Sequence, residues 1–214
     1  MNNYDWIINE SLLPWLKLDI SFPYQQMYEE AISLKDHFVS HRDQDGDAAI
    51  GGYRHKGWRS LCIHGIDHRK TNHFVQYGYT SHEETPYKWT DICDKCPVTY
   101  DFFKNIFPFK KYFRVRFMLL EPGGYITPHN DADHHSLSPV NMALNNPKGC
   151  KMKMKQHKGF VPFEPGTAFL LDVGNTHAVF NDSDEDRYHI IVHGIKGKDF
   201  KEIVERSYAK NGRK

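Results

Sequence analysis

The spacing of apolar side chains changes near residue 110. Before that point, residues 23–39 repeat an apolar side chain every three to four positions, which predicts an amphipathic helix packed on one face. Shorter apolar runs at 58–64 and 73–79 predict strands, and 97–107 predicts a second helix with Pro97 at its first position. The first 110 residues are therefore predicted to be mixed α and β.

After residue 110 the pattern consists of short β-like runs. Turn-forming stretches such as EPGG, NNPKG and NDSDED separate these runs. Many short strands at close spacing favour a sandwich or barrel over βαβ units. The eight predicted strands are 112–120, 125–129, 140–144, 151–156, 160–163, 167–171, 176–180 and 187–193.

The predicted organisation is a mainly β fold with an N-terminal α/β extension. We expect an α/β region at 1–110 that packs on a β core at 111–195. A basic tail at 196–214 follows, with a short helix at 199–209. The chain has 214 residues, which suits one structural domain overall.

Composition narrows the choice of compartment and partner. The formal net charge is only +1, so no nucleic acid or anionic membrane is expected as partner. The sequence has no apolar run of about 18 residues and does not begin with a secretory pattern, so we expect a cytoplasmic protein with reduced cysteines. Cys93 and Cys96 form one CxxC without a second pair, which favours a turn or helix start over a zinc site.

The densest group of potential ligands is the stretch YITPHNDADHH at 125–135. Residues two apart in a strand point the same way, so His129 and Asp131 can converge on one point. THAVFN supplies a third ligand, His177. Two imidazoles and one carboxylate on one side of a metal are typical of non-haem Fe(II) oxygenases, although zinc binds the same groups. We expect the other acidic and imidazole side chains of the stretch, Asp133, His134 and His135, in a loop or at the rim.

Arg187 distinguishes this pattern from a loose histidine cluster. It lies ten residues after His177, just beyond the turn NDSDED. If the two strands pair antiparallel, Arg187 returns to the depth of the metal site, where a guanidinium can bind a carboxylate. This arrangement suits a dicarboxylate that chelates the metal at one end. His189 and His193 share a face with Arg187, so one of them can point towards the pocket, but a core or rim histidine bonded to backbone is the more common outcome.

The segments PGGYITPHND and GTAFLLDVGNTHAVFNDSDEDRYHIIVHG resemble the aspartyl/asparaginyl β-hydroxylase family of 2-oxoglutarate-dependent oxygenases. The family includes proline hydroxylases that act on the free amino acid. The resemblance covers residues 114–193 and implies a double-stranded β-helix, a jelly-roll, cupin-like fold. This fold agrees with the eight predicted strands.

The resemblance also implies roles for single residues. His129, Asp131 and His177 would bind the catalytic Fe(II), and Arg187 would hold the distal carboxylate of 2-oxoglutarate. His157 and Arg116 are the candidates for the keto-acid end. Strict alternation in KMKMKQHK places His157 on the lysine face, so it turns inward only if the strand breaks near Gln156. Arg116 shares a face with Arg114, and either arginine could be the inward one.

The implied reaction couples O₂ and 2-oxoglutarate to hydroxylation of an unactivated C–H bond, with release of succinate and CO₂. A complete HxD motif resembles the small-molecule branch, which favours an amino acid or a related metabolite as substrate. The alternatives are a peptide or protein side chain, a non-catalytic cupin-like binding module, and a metal enzyme of the same shape that does not use 2-oxoglutarate.

Overall fold

The computed structural model describes residues 13–41, 54–132 and 137–211. The helices are α1 (Tyr24–Ser33), α2 (Pro97–Asp101) and α3 (Lys198–Asn211). The strands are β1 (Trp15–Leu18), β2 (Val39–Ser40), β3 (His55–Gly65), β4 (Lys88–Trp89), β5 (Phe109–His129), β6 (Leu137–Ala143), β7 (Cys150–Met154), β8 (Ala168–Asp172), β9 (His177–Asn181) and β10 (Arg187–Lys196).

Two antiparallel layers share the long strand β5. The larger layer has the order β1-β8-β6-β10-β5-β3-β2, and β10 pairs with β5 from Phe109 to Leu120. The second half of β5 pairs instead with β9, and β9 pairs with β7. Because one strand crosses from layer to layer, the sheet closes into the double-stranded β-helix that the sequence predicted.

The two faces of the larger layer bury different cores. Phe117 and Leu119 of β5 face outward and pack in one cluster with Ala31 of α1 and Phe200 of α3. Leu120 belongs to a second cluster, between the layers, with Met152, Met154, Phe169 and Val179. The helices therefore cover the outside of the sheet, and the even-numbered face of β5 points into the space between the layers.

Most of the predicted elements are present. The first helix begins at Tyr24 but ends at Ser33, and a 3₁₀ turn, Lys35–His37, follows it. The second begins at Pro97 and continues as a π turn, Phe102–Ile106. Strand 58–64 extends to His55–Gly65, and the C-terminal helix extends to Lys198–Asn211. The expected loop at 41–52 lies almost entirely outside the described residues.

Two strand predictions were wrong. Residues 73–79 form a 3₁₀ turn, Phe74–Tyr77, which ends at Gly78 with φ +84°. Their aromatic composition resembles a strand, but the left-handed glycine ends a helical turn. Residues 160–163 make a single bridge, between Phe160 and Lys153, and no strand.

The expected turn at EPGG is also wrong, because β5 runs through it. Gly123 takes φ +68°, and a Cβ on Gly124 would lie 2.7 Å from the Glu121 carbonyl oxygen and 2.9 Å from that of Lys56. These glycines let the strand bend and pass close to β3 at the point where it changes layers. The stretch is therefore a bend within a strand and not a hairpin.

All four cysteines are free and buried. Cys93 and Cys96 lie before α2, and their Sγ atoms donate to the carbonyls of Ile63 and Ile92. Burial raises the pKa of the Cys93 thiol to about 11, so this thiol is protonated at neutral pH. The prediction of a helix start at this CxxC is confirmed.

Within the described ranges, none of the helices has the length and apolar character that a membrane span requires.

Gly124→Ala tests the close approach at the layer crossing. We expect its free energy of unfolding to fall by about 1–3 kcal/mol, because the added methyl group meets two backbone carbonyls. Gly197→Ala is the control, since the nearest atom to its Cβ lies at 3.7 Å, an ordinary contact. Denaturant unfolding measures both variants, and equal stabilities would contradict the packing argument.

Candidate metal centre

Three potential ligands converge where β5 and β9 meet. His129 is the last residue of β5 and His177 the first of β9, and the two are paired directly across the strands. Their ring centroids are 4.3 Å apart. Asp131 lies two residues beyond β5, where its backbone N–H donates to the Val173 carbonyl at 2.9 Å. Strand pairing and one backbone hydrogen bond thus bring the three side chains together.

Hydrogen bonds fix which nitrogen each histidine presents. Nδ1 of His129 lies 2.8 Å from the Thr127 carbonyl oxygen, and Nδ1 of His177 lies 2.9 Å from that of Asn175. A carbonyl only accepts, so each Nδ1 carries the proton and donates it. Each Nε2 is therefore the unprotonated nitrogen, and an unprotonated ring nitrogen is the one with which imidazole binds a metal.

The donor atoms have the separation that one metal ion requires. Nε2 of His129 lies 3.6 Å from Oδ1 of Asp131, and Nε2 of His177 lies 3.9 Å from Oδ2. All three ligand atoms lie within 4.8 Å of one another. Two donors that are each about 2.1 Å from an ion are at most about 4.2 Å apart, a limit that both His–Asp distances satisfy. The donor set fits Fe(II) with open positions for other ligands.

A small cavity of about 70 Å³ joins the triad to Arg187. Arg187 begins β10 and is buried, with its Nε donating to Oδ1 of Asn146 at 3.4 Å and its guanidinium over the Phe163 ring at 5.3 Å. Burial lowers the pKa of Arg187, yet a guanidinium stays protonated at neutral pH. In the part of the chain that the structure describes, no carboxylate lies within ion-pair distance of it. A buried cation without a protein anion fits a bound carboxylate.

A second cavity, of about 450 Å³, adjoins the first. Arg114, Arg116 and His193 are among the residues of its wall. Five residues line both cavities: Trp58, Asp131, Pro139, Val173 and Ile191. A molecule in the larger cavity therefore lies beside the carboxylate ligand of the triad.

The sequence matches the family model of the aspartyl/asparaginyl beta-hydroxylases over residues 21–196. The chain belongs to this family. It is therefore an iron- and 2-oxoglutarate-dependent oxygenase of the hydroxylase type, with O₂ as co-substrate. A comparison with curated proteins found no match.

Several solved structures resemble this hydroxylase at low sequence identity. A Pseudomonas putida prolyl-4-hydroxylase is 13% identical, with a TM-score of 0.45 over 86% of this chain and 94% of the other. The collagen prolyl hydroxylase of Paramecium bursaria Chlorella virus-1 is 12% identical, with a TM-score of 0.40 over 84% and 94%. The α-ketoglutarate-dependent epimerase SnoN of nogalamycin biosynthesis is 12% identical, with a TM-score of 0.47 over 88% and 80%.

The two keto-acid candidates lie apart from Arg187. Arg116 lines the larger cavity, where its Nη1 donates to the Thr71 carbonyl at 2.9 Å. His157 follows the end of β7, and its Nδ1 accepts from the Gly159 N–H at 3.0 Å. Its ring packs edge-on against Trp15, and the described lining of the two cavities does not include it. The structure thus brings neither side chain to the small cavity, and their roles in binding the keto acid stay predictions.

Sequence reasoning missed much of the wall of the larger cavity. His41, His73 and His82 line it, but they come from segments before β5 that carry no local motif. Alternation along β5 did carry a signal, because it places Arg114 and Arg116 on one face, and both line the cavity. Asp133, His134 and His135 lie outside the described residues, so their predicted place at the rim stays a prediction.

Alanine at His129 or His177 tests the metal centre. We expect the Fe(II) affinity to fall by more than about 100-fold, since losing only an outer-shell partner costs about 10–100-fold. Anaerobic calorimetric titration with Fe(II) measures the affinity. His37→Ala is the control, because His37 contacts Lys95 and His68, away from the triad. Unchanged affinity in both triad variants would exclude this site.

Proposed function

We propose that this hydroxylase oxidises a C–H bond of a small molecule, an amino acid or a related metabolite. His129, Asp131 and His177 hold Fe(II), and Arg187 binds the distal carboxylate of 2-oxoglutarate. One observation carries the assignment. The same small cavity contains the three ligands and a buried arginine that has no carboxylate partner among the described residues.

The protein contributes orientation and an apolar enclosure. The carbonyls of Thr127 and Asn175 hold the imidazoles so that both Nε2 atoms face one point. The guanidinium of Arg187 can fix a carboxylate with two parallel hydrogen bonds. The iron, with 2-oxoglutarate and O₂, supplies the oxidising power for hydroxylation, and succinate and CO₂ are released. Apolar side chains that exclude water line the small cavity: Met118, Ile126, Met152, Leu171 and Val179.

The larger cavity is the proposed substrate site. It shares Asp131 with the small cavity, so a molecule bound there has the metal ligand at its edge. Its volume of about 450 Å³ lies within the range of about 300–1,000 Å³ that small-molecule sites occupy. These features favour a small substrate over the side chain of a peptide or protein.

The proposal includes no nucleic acid or membrane as partner, in keeping with a net charge of +1. A cytoplasmic location remains our prediction. The four free cysteines are typical of a compartment that keeps thiols reduced.

Arg187→Gln tests the role of the arginine. We expect the Kd for 2-oxoglutarate to rise by about 10–100-fold, because one charge-assisted interaction is lost, while the Fe(II) affinity is unchanged. Arg59→Gln is the matched control, since Arg59 pairs with Glu121 at 3.2 Å, outside both cavities. Calorimetric titration of the metal-loaded variants measures both constants. Equal affinities for 2-oxoglutarate in the two variants would show that Arg187 does not bind the keto acid.

Succinate release tests the function itself. Anaerobically reconstituted protein is given 2-oxoglutarate and then O₂, with free amino acids, other small metabolites and peptides as candidate substrates. We expect a small molecule to raise succinate release above the uncoupled rate, which is the rate without substrate. His129→Ala should abolish both the stimulated and the uncoupled release. Stimulation by peptides alone would contradict the small-molecule proposal. No succinate at all would refute the assigned function.

A further inference from the structure

Two polar side chains on neighbouring strands share the wall of the larger cavity. Arg114 of β5 and His193 of β10 are paired directly across the strands. Both line the cavity, on the side of β5 that faces between the layers. Side chains of directly opposed residues lie about 5 Å apart at Cβ, so one ligand group can contact both.

Arg114 is a half-buried cation without an ion-pair partner among the described residues, although the Asp131 carboxylate acts on it electrostatically. Within the described residues Arg114 makes no hydrogen bond or ion pair, whereas Arg59 and Arg206 pair with Glu121 and Asp19. Burial lowers the pKa of Arg114, but the guanidinium remains cationic at neutral pH. A cation in this position is stabilised when an anion binds beside it.

His193 offers a hydrogen bond at the same place. Its Nδ1 is buried and has no partner within the described residues. Burial, followed by the charges of Arg114 and Arg116, lowers the pKa of His193 well below 6.5, so the ring is neutral at pH 7. A neutral imidazole carries one N–H, which can donate to an oxyanion.

Arg116 also lines the cavity and adds positive potential, whereas the histidines beside it whose pKa is lowered are neutral at pH 7. His73 and His82 also line it, and the charge of Arg114 contributes, after burial, to lowering the pKa of both. Asp131 is the one carboxylate among its described lining residues, and metal binding would offset its charge. A cavity of this sign attracts an anion.

The geometry points to an oxyanion subsite formed by Arg114 and His193. We infer that the substrate is an acidic small molecule, with its carboxylate or phosphate on these two residues. Its apolar body then lies against Trp58, Val173 and Ile191, which line both cavities and lead to Asp131. This inference rests on the proposed function, because it takes the larger cavity as the substrate site of the hydroxylase.

Binding measurements test the subsite without turnover. The protein is loaded with Ni(II) and saturated with 2-oxoglutarate, so the site at Arg187 is occupied. The probes are small carboxylic acids paired with their primary amides, such as N-acetylproline with N-acetylprolinamide and phenylacetate with phenylacetamide. Phenyl phosphate tests the phosphate alternative. Tryptophan fluorescence reports binding, because Trp58, one of the four tryptophans, lines the cavity.

We expect an acid or the phosphate to bind at least about tenfold more tightly than the neutral analogue. Arg114→Gln should abolish this preference and Arg114→Lys should retain part of it. His193→Phe, which keeps the ring but removes the N–H, should weaken the preference. Lys110→Gln is the matched control, because Lys110 is an exposed cation on the same strand.

Two results would overturn the inference. The first is that wild-type protein binds neither the acids nor the phosphate more tightly than the amides. The second is that Arg114→Gln, with the melting temperature of the wild type, still binds the acids more tightly than the amides. The affinity for 2-oxoglutarate, measured on the same preparations, reports the proposed function separately. If the affinity for 2-oxoglutarate is lost only in Arg187→Gln, the keto-acid site is supported independently of the results with the acid and amide probes.

Discussion

The pairing of β5 with a different strand in each layer determines where the functional groups lie. Its first half pairs with β10, which sets Arg187 opposite Leu120 and His193 opposite Arg114. Its second half pairs with β9, which sets His129 opposite His177. A slip of one residue in either pairing would turn these side chains to the other face. The proposed metal ligands, the arginine proposed to bind a carboxylate and the wall of the larger cavity therefore all depend on one strand.

The space between the layers contains cationic side chains at two depths. Arg187 lies in the small cavity with the triad, and Arg114 lies in the larger one, and neither has a described carboxylate partner. Burying a charge such as that of Arg187 without a counter-ion is unfavourable, and a fold retains such groups where a ligand offsets the cost. The two positions suit the keto acid and the acidic substrate that we propose.

Sequence patterns predicted the strands of the core well because alternation reports burial directly. They failed at residues 73–79 and 160–163, where aromatic and β-branched residues serve a turn and an irregular segment. They also failed at EPGG, because glycine permits a bend within a strand as readily as a hairpin. Such choices depend on partners that lie far away in the chain, here β3 and β9.

The sequence by itself determined the chemistry: an HxD pair, a distal histidine and an arginine ten residues later, on strands of a β-rich half. Spacing within a strand fixes which side chains share a face, and this information is local. Only the tertiary structure decided that Arg114 and Arg116 line a cavity with histidines from other segments, and that His157 packs on Trp15. Those placements follow from strand register and close packing between distant parts of the chain, which local sequence does not encode.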